Sequence, residues 1–251
     1  MTAFTRGKVV LVTGATGAIG FEIAAQAAAA GAVVAVHGSR PETVASAIGR
    51  LKARVREASL IAAPADFRVE GAIEAMVATV VAAGGRLDAV IHCGITGSGG
   101  VAGAFAQTNP DNFGSHAALI LGNFQRLCFA AMPHLATRGG TIVGFASDAG
   151  RFAAPRQALI GAAFGGIMAF VRNLALEAAR QGVRVHCLSP SFVAGTPAFA
   201  MHASRAGAAR DRAGLGLPEP ADIAPMALFL CSPGASKITG QVISINGGLN
   251  A

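Results

Sequence analysis

Tyrosine and tryptophan are absent from this 251-residue chain, and lysine occurs only as Lys8, Lys52 and Lys237. No phenol is therefore available anywhere as a proton donor. Acidic residues are also scarce, 13 against 20 Lys plus Arg, for a formal net charge of +7. That excess comes mostly from scattered arginines. With no dense basic run and no aromatic stacking platform, nucleic-acid binding is not expected. The one local concentration, Arg205, Arg210 and Arg212, reads either as a solvated helix face or as a dock for an anionic small molecule such as a nucleotide or acyl-CoA.

The four cysteines, Cys93, Cys128, Cys187 and Cys231, lie far apart without Cys-x-x-Cys or Cys/His ligand spacing. Buried thiols in a reducing cytoplasm are expected, and no metal site. His37, His134, His186 and His202 likewise lack metal spacing and read as structural or surface residues. Apolar runs are broken by Gly, Gln, Glu or Arg before reaching the length of a membrane span, so none is expected. A four-residue apolar run ahead of the first Gly-rich turn is too short for a signal peptide.

What is abundant is small and apolar: 53% hydrophobic residues and 33 glycines. Short continuous apolar runs ended by turn residues recur as KVVLVTG, AVVAVHG, SLIAAPAD, LDAVIHCG, GTIVGFAS, VRVHCLSP and GQVISING. Such runs suit strands buried on both faces of a parallel sheet. Helical patterns alternate with them over 18–30, 41–57, 70–83, 111–136, 155–181 and 221–231. Together these give a single α/β domain over 1–251, a Rossmann-like doubly wound sheet of about seven strands with helices on both faces. The stretch 191–218, the longest without a strand, follows a strand's carboxyl end and reads as a variable ligand-binding segment.

VTGATGAIG directly follows the first strand and opens a helix, the context in which a glycine motif is meaningful. Gly14 permits a tight turn, while Gly17 and Gly20 allow backbone to approach a phosphate and helix to approach strand. Ala18 is a caution, because its methyl group crowds a diphosphate. After the second strand, VHGSRPE carries no acid to accept from a ribose 2′-OH. Ser39 and Arg40 instead suit a 2′-phosphate, which favours NADP over NAD. Asp66 is placed either to bond an adenine amino group or to cap a helix.

These pieces resemble the short-chain dehydrogenase/reductase family over essentially the whole chain. TGATGAIG is similar to its cofactor loop, AAMPHLATRGGTIVGFASDAG to the segment ending in its catalytic serine, and LALEAARQGVRVHCLSPSFVAGTP and SKITGQVISINGGLN to its last two strand regions. The resemblance implies Ser147 as the substrate-orienting serine. It also implies Ile160, Phe164 and Ile120 where the family has a proton-donating Tyr, a supporting Lys and a water-relay Asn. Proton transfer needs a group of tunable pKa beside the carbonyl, and hydrocarbon supplies none. Two further family motifs, after the fourth and sixth strands, are altered to Ile91-His92-Cys93-Gly94 and Pro190-Ser191. No bound cofactor, or weakly held NADP, is therefore expected.

The resemblance also implies a tetramer built on the helix after the fourth strand and the helix after the serine. The second of these, LIGAAFGGIMAFVRNLALEAA, is small and apolar enough for close helix packing, whether on a partner or on its own sheet. Two-subunit members of the family pair a silent subunit with an active paralogue, as in the hydroxyacyl-CoA dehydrogenase of anaerobic toluene (benzylsuccinate) breakdown. The leading expectation is thus a catalytically silent structural or regulatory subunit of an oxidoreductase, in a homo- or hetero-oligomer. The alternatives are an atypical NADP-dependent oxidoreductase or lyase rewired around Ser147, with His92 or His116 brought near in space, and a nucleotide-sensing module. His92 and Cys93, adjacent on a strand, point to opposite faces, so they do not pair with each other.

Overall fold

The structure is a computed structural model describing residues 6–94, 99–201 and 203–250. Seven parallel strands form one sheet: β1 (Val9–Thr13), β2 (Val33–Gly38), β3 (Ser59–Pro64), β4 (Ala89–His92), β5 (Thr141–Phe145), β6 (Arg184–Pro190) and β7 (Val242–Ile245). Their spatial order is β3-β2-β1-β4-β5-β6-β7, so the winding reverses between β1 and β4, where Val10 pairs with Ala89 and Thr13 with His92. In doubly wound sheets ligands sit above the strand carboxyl ends at this switch point.

Successive side chains of a strand point to opposite faces, and β1 feeds two separate cores accordingly. Val9 and Leu11 join a cluster beneath α3 (Ala72–Gly84), α5 (Asn123–Ala136) and α6 (Ala158–Ala179). Val10 and Val12 join the opposite one, beneath α1 (Ala18–Ala29), α2 (Pro41–Arg54) and α9 (Pro220–Leu230). Burial on both faces holds for β1, β4 and β5. It fails for β3 and β7, which lie at the sheet edges and are only partly covered.

The helices differ from the expected spans where backbone geometry intervenes. α2 stops at Arg54 because Val55 is already extended, with φ −130° and ψ 93°. α3 starts at Ala72 because Gly71 is left-handed, φ 76°. The span expected to run unbroken from 111 to 136 divides into α4 (Phe113–Ala117), a π-helical turn (Ala118–Gly122) and α5. α6 starts at Ala158, just after Arg156, a non-glycine residue at φ +64°.

By length and composition α6 alone among the described helices would suffice to cross a membrane, with 22 residues and mean hydropathy 1.7. The sequence expectation counted unbroken apolar runs, and Arg172 interrupts this one. Its hydrophobicity has a local use, since Ala163, Phe164, Ile167, Met168, Val171 and Ala175 are buried in the core beneath it. The 191–218 segment carries α7 (Pro197–Met201) and α8 (Ala203–Arg212). His202 and the side chain of Arg205 lie outside the described residues.

Candidate functional site

The glycine loop occupies the β1/β4 switch point. Gly14 has φ +69°, and a Cβ there would lie 2.6 Å from the Cα of Gly94, which follows β4. A Cβ on Gly20 would strike the Gly14 carbonyl, so the start of α1 lies directly on the turn. Gly17 is the N-cap of α1, with no side-chain hydrogen bond to the cap and no acid in the first turn. The first-turn N–H groups and the positive helix end are the features that suit an anion at the Gly14–Gly20 turn.

Ser39 and Arg40 are exposed at the end of β2, with Arg40 the N-cap of α2. Among the described residues Arg40 has no carboxylate partner. The pair thus fits a 2′-phosphate. Asp66 is not the cap of α3; Gly71 is. Its carboxylate is held instead by Arg68, with Oδ1 accepting from the backbone N (3.0 Å) and Nε (2.9 Å), and Oδ2 from Nη2 (2.6 Å). These bonds lower its pKa to about 2. An adenine amino group must compete with Arg68 for it.

A cleft of about 1040 Å³ opens over the ends of β5, β6 and β7, bounded by Ile19, Ala146–Ala149, Pro190–Val193, Leu249 and the 152–157 loop. Ser147 lines it and N-caps the short 3-10 turn Asp148–Gly150, its Oγ accepting the Ala149 N–H at 3.3 Å. Ile160 and Phe164 line it as well; Phe164 is 8% exposed. Ile120, in the π-helical turn, is buried in the same apolar cluster as Phe164, against which Ile160 packs. The three positions compared with Tyr, Lys and Asn are thus all hydrocarbon, two of them on the cleft wall and Ile120 buried in the core. The adenosine half of a dinucleotide site fits these residues; the nicotinamide half, with no side chain for the ribose hydroxyls at Ile160 or Phe164, does not.

Neither His92 nor His116 is among the described residues lining this cleft. His92 is buried, its Nδ1 2.7 Å from Thr13 Oγ1 and its ring stacked on Phe124 at 5.3 Å. Burial depresses its pKa to about 3. His116 is buried in α4 with neither ring nitrogen hydrogen-bonded among the described residues. The Cys93 thiol is enclosed although the residue as a whole is half-buried, and burial pushes its pKa up, away from any nucleophilic role. The other three cysteines are free and buried.

Two residues of the site escaped the sequence reading. His37, read as structural or surface, is buried under the phosphate loop and bonds Gly14. Only its place one residue before the strand-ending Gly38 hinted at this. Asp148 accepts from Ser189 Oγ (3.0 Å), Ser244 Oγ (2.8 Å), Asn246 Nδ2 (2.6 Å) and Asn250 Nδ2 (3.3 Å). It ties the serine turn to β6, β7 and the tail, across up to 102 positions of sequence.

The small residues of α6 also find their partners inside the chain. A Cβ on Gly161 would lie 2.5 Å from the Ala149 carbonyl, and one on Gly166 would lie 2.8 Å from Leu121. The outward face is different in kind. Phe129 of α5 is 81% exposed, and with Cys128, Met132, Phe170 and Leu174 it lines a groove of about 530 Å³ between α5 and α6.

The family profile described as "Enoyl-(Acyl carrier protein) reductase" matches residues 14–250. The chain belongs to the short-chain dehydrogenase/reductase family. It is 29% identical to a 3-oxoacyl-[acyl-carrier-protein] reductase of Chlamydia trachomatis, over 99% of this chain and 100% of that one. To a short-chain reductase, NovJ, of Streptomyces niveus it is 31% identical over 98% of this chain and 95% of the other. A short-chain type dehydrogenase/reductase from Mycobacterium ulcerans superposes with a TM-score of 0.91 at 27% identity, covering 98% of this chain and 90% of that chain. A 7α-hydroxysteroid dehydrogenase complexed with NADH and 7-oxo glycochenodeoxycholic acid superposes with a TM-score of 0.89 at 25% identity, covering 98% and 95%.

Proposed function

We propose that this chain is a catalytically silent member of its family, acting as a structural or regulatory subunit beside an active paralogue in an oxidoreductase assembly. One observation carries the reading: Ile160 and Phe164, at the positions compared with Tyr and Lys, put hydrocarbon on the cleft wall, and Ile120 is buried in the core. Among the described residues Ser147 has no evident proton partner in the cleft. The described cleft lining includes no His, Lys or Tyr, and its one carboxylate, Asp148, already accepts four hydrogen bonds. The alternative of an NADP-dependent oxidoreductase or lyase rewired around Ser147 is less well supported, since the described lining offers it no free base.

The groove around Phe129 supports the assembly part of the proposal. Exposed aromatics beside Met and Leu are what helix–helix interfaces bury. An active paralogue presenting the same two helices is the occupant we assign, as in two-subunit enzymes of the benzylsuccinate type. Relatives named as reductases, and a hydroxysteroid dehydrogenase solved with NADH, support hydride chemistry for that partner. In this chain we assign NADP's adenosine half to the cradle of Gly14, Gly17, Gly20, Ser39 and Arg40, held weakly and without turnover, in a cytoplasmic setting.

Co-expression with a paralogue retaining Tyr-x-x-x-Lys is the test. A mixed oligomer whose activity resides wholly in the partner is expected. Two separate homo-oligomers, or turnover by this chain alone, would overturn the reading.

A further inference from the structure

We propose that the cleft over β5–β7 binds an anionic amphiphile, an acyl or aryl carboxylate, with its tail on the apolar wall and its head at Arg156 and Arg212. This deepens, and rests on, the reading that the cleft no longer serves a nicotinamide.

Two independent features point to such a ligand. The first is charge. Arg156 and Arg212 both line the cleft and are exposed to it, and neither has a carboxylate partner among the described residues. Arg212 makes one long bond, 3.5 Å to the Leu249 carbonyl. Asp148, the one acid on the described wall, spends its oxygens on Ser189, Ser244, Asn246 and Asn250. Guanidinium groups left without an acid are ready-made partners for a planar oxyanion.

The second feature is the wall. Phe152, Ile160, Phe164, Phe192, Phe199 and Leu249 give a cleft of about 1040 Å³ an extensive hydrocarbon lining. Pockets of this kind take up apolar ligands and use a few polar groups to orient them. A cation is repelled by the rim, and a neutral hydrocarbon leaves the guanidinium donors unused. An anion with a hydrocarbon body satisfies both features.

Backbone geometry marks Arg156 further. It is the one described non-glycine residue with positive φ, at +64°. Glycine adopts that conformation without strain, whereas an L side chain costs on the order of 1 kcal/mol. The Arg156 carbonyl accepts the Gly103 N–H at 2.9 Å, fixing the loop at the cleft mouth. An arginine held where glycine is easier is consistent with use of its guanidinium.

Titration calorimetry on the full chain tests this with decanoate, decanamide and decyltrimethylammonium. Decanoate is expected to bind, decanamide roughly tenfold or more weakly, and the cation not at all. Arg212→Ala and Arg156→Gly are each expected to weaken decanoate roughly tenfold. Arg156→Gly also keeps or raises thermal stability, which separates lost binding from lost fold. Equal affinity for decanoate and decanamide, unchanged affinity in both arginine variants, or no decanoate binding at millimolar concentration would overturn the proposal. An NADPH assay on the same samples keeps the two readings apart: turnover with decanoate binding sinks only the silent-subunit reading, and absence of both sinks only this one.

Discussion

His37 accepts the backbone N–H of Gly14 on its Nδ1 at 3.0 Å, beneath the turn of the phosphate loop. Its Nε2 therefore carries the proton and donates to the Ala65 carbonyl, also at 3.0 Å. The ring is stacked on Phe67 at 4.4 Å, and burial depresses its pKa from 6.5 to about 4. Protonating Nδ1 removes the acceptor on which Gly14 depends.

This makes the fold acid-sensitive. Burial also lowers His92 to about 3 and His186 to about 4. The unfolded chain takes up these protons near pH 6.5 and the folded chain only at the lower values. Between them the unfolded state holds more protons, so stability falls as pH falls from 6.5 toward 4. Each such proton contributes about 1.4 kcal/mol per pH unit. Urea unfolding at pH 7.5, 6 and 5 checks this, with a progressively lower midpoint expected; a flat profile would contradict the assignment of three buried neutral imidazoles.

Asp148 is the second pressure point. Asp148→Ala leaves the donors of Ser189, Ser244, Asn246 and Asn250 facing an empty site, Ser189 and Asn246 being buried. A loss of about 3 kcal/mol is expected from the stranded donors. Chemical denaturation reads it directly, and a loss below about 0.5 kcal/mol, the level of a surface change, would show that the four bonds do not hold the tail.

Restoring the family's pair is expected to fail as a repair. Ile160 is half-buried on the cleft, so Ile160→Tyr folds. Phe164→Lys removes a core aromatic and buries an ammonium, at a cost of about 3 kcal/mol. The double variant is expected to show little NADPH oxidation with an acetoacetyl thioester. Substantial activity would mean that the rest of the nicotinamide site is intact.

Phe129→Glu places a charge on the groove between α5 and α6 while touching no core side chain that the fold requires, since Phe129 is 81% exposed. The variant is expected to keep its melting temperature and lose assembly in sedimentation velocity. A wild-type sedimentation pattern would move the interface elsewhere.

Adenosine 2′,5′-bisphosphate reports on the other half of the site without any turnover. It is expected to bind the isolated chain more tightly than AMP, and Arg40→Glu is expected to abolish that preference. Equal binding of the two nucleotides would remove Ser39 and Arg40 as a 2′-phosphate site.

The sheet was legible because seven short apolar runs alternate with helical patterns, a signal that depends only on neighbours in sequence. What stayed hidden depends on distant ones. The left-handed Gly71 and Arg156 reset helix starts that hydrophobic periodicity extends too far. The small face of α6 suits packing on a partner or on its own chain, and only the structure shows Gly161 and Gly166 against Ala149 and Leu121 of the same chain. Hydrocarbon at the positions compared with Tyr and Lys was visible in sequence as Ile160 and Phe164. The open cleft that Ile160 and Phe164 line was not. Nor was the role of Asp148, whose four donors lie 41 to 102 residues away.

The central claim, that this chain does not itself catalyse hydride transfer, rests most directly on one assay. The purified chain is titrated into NADPH with an acetoacetyl thioester, and oxidation is followed at increasing protein concentration. The account predicts a rate indistinguishable from the buffer blank at every concentration. A rate that rises in proportion to the chain and is lost in Ser147→Ala would contradict it.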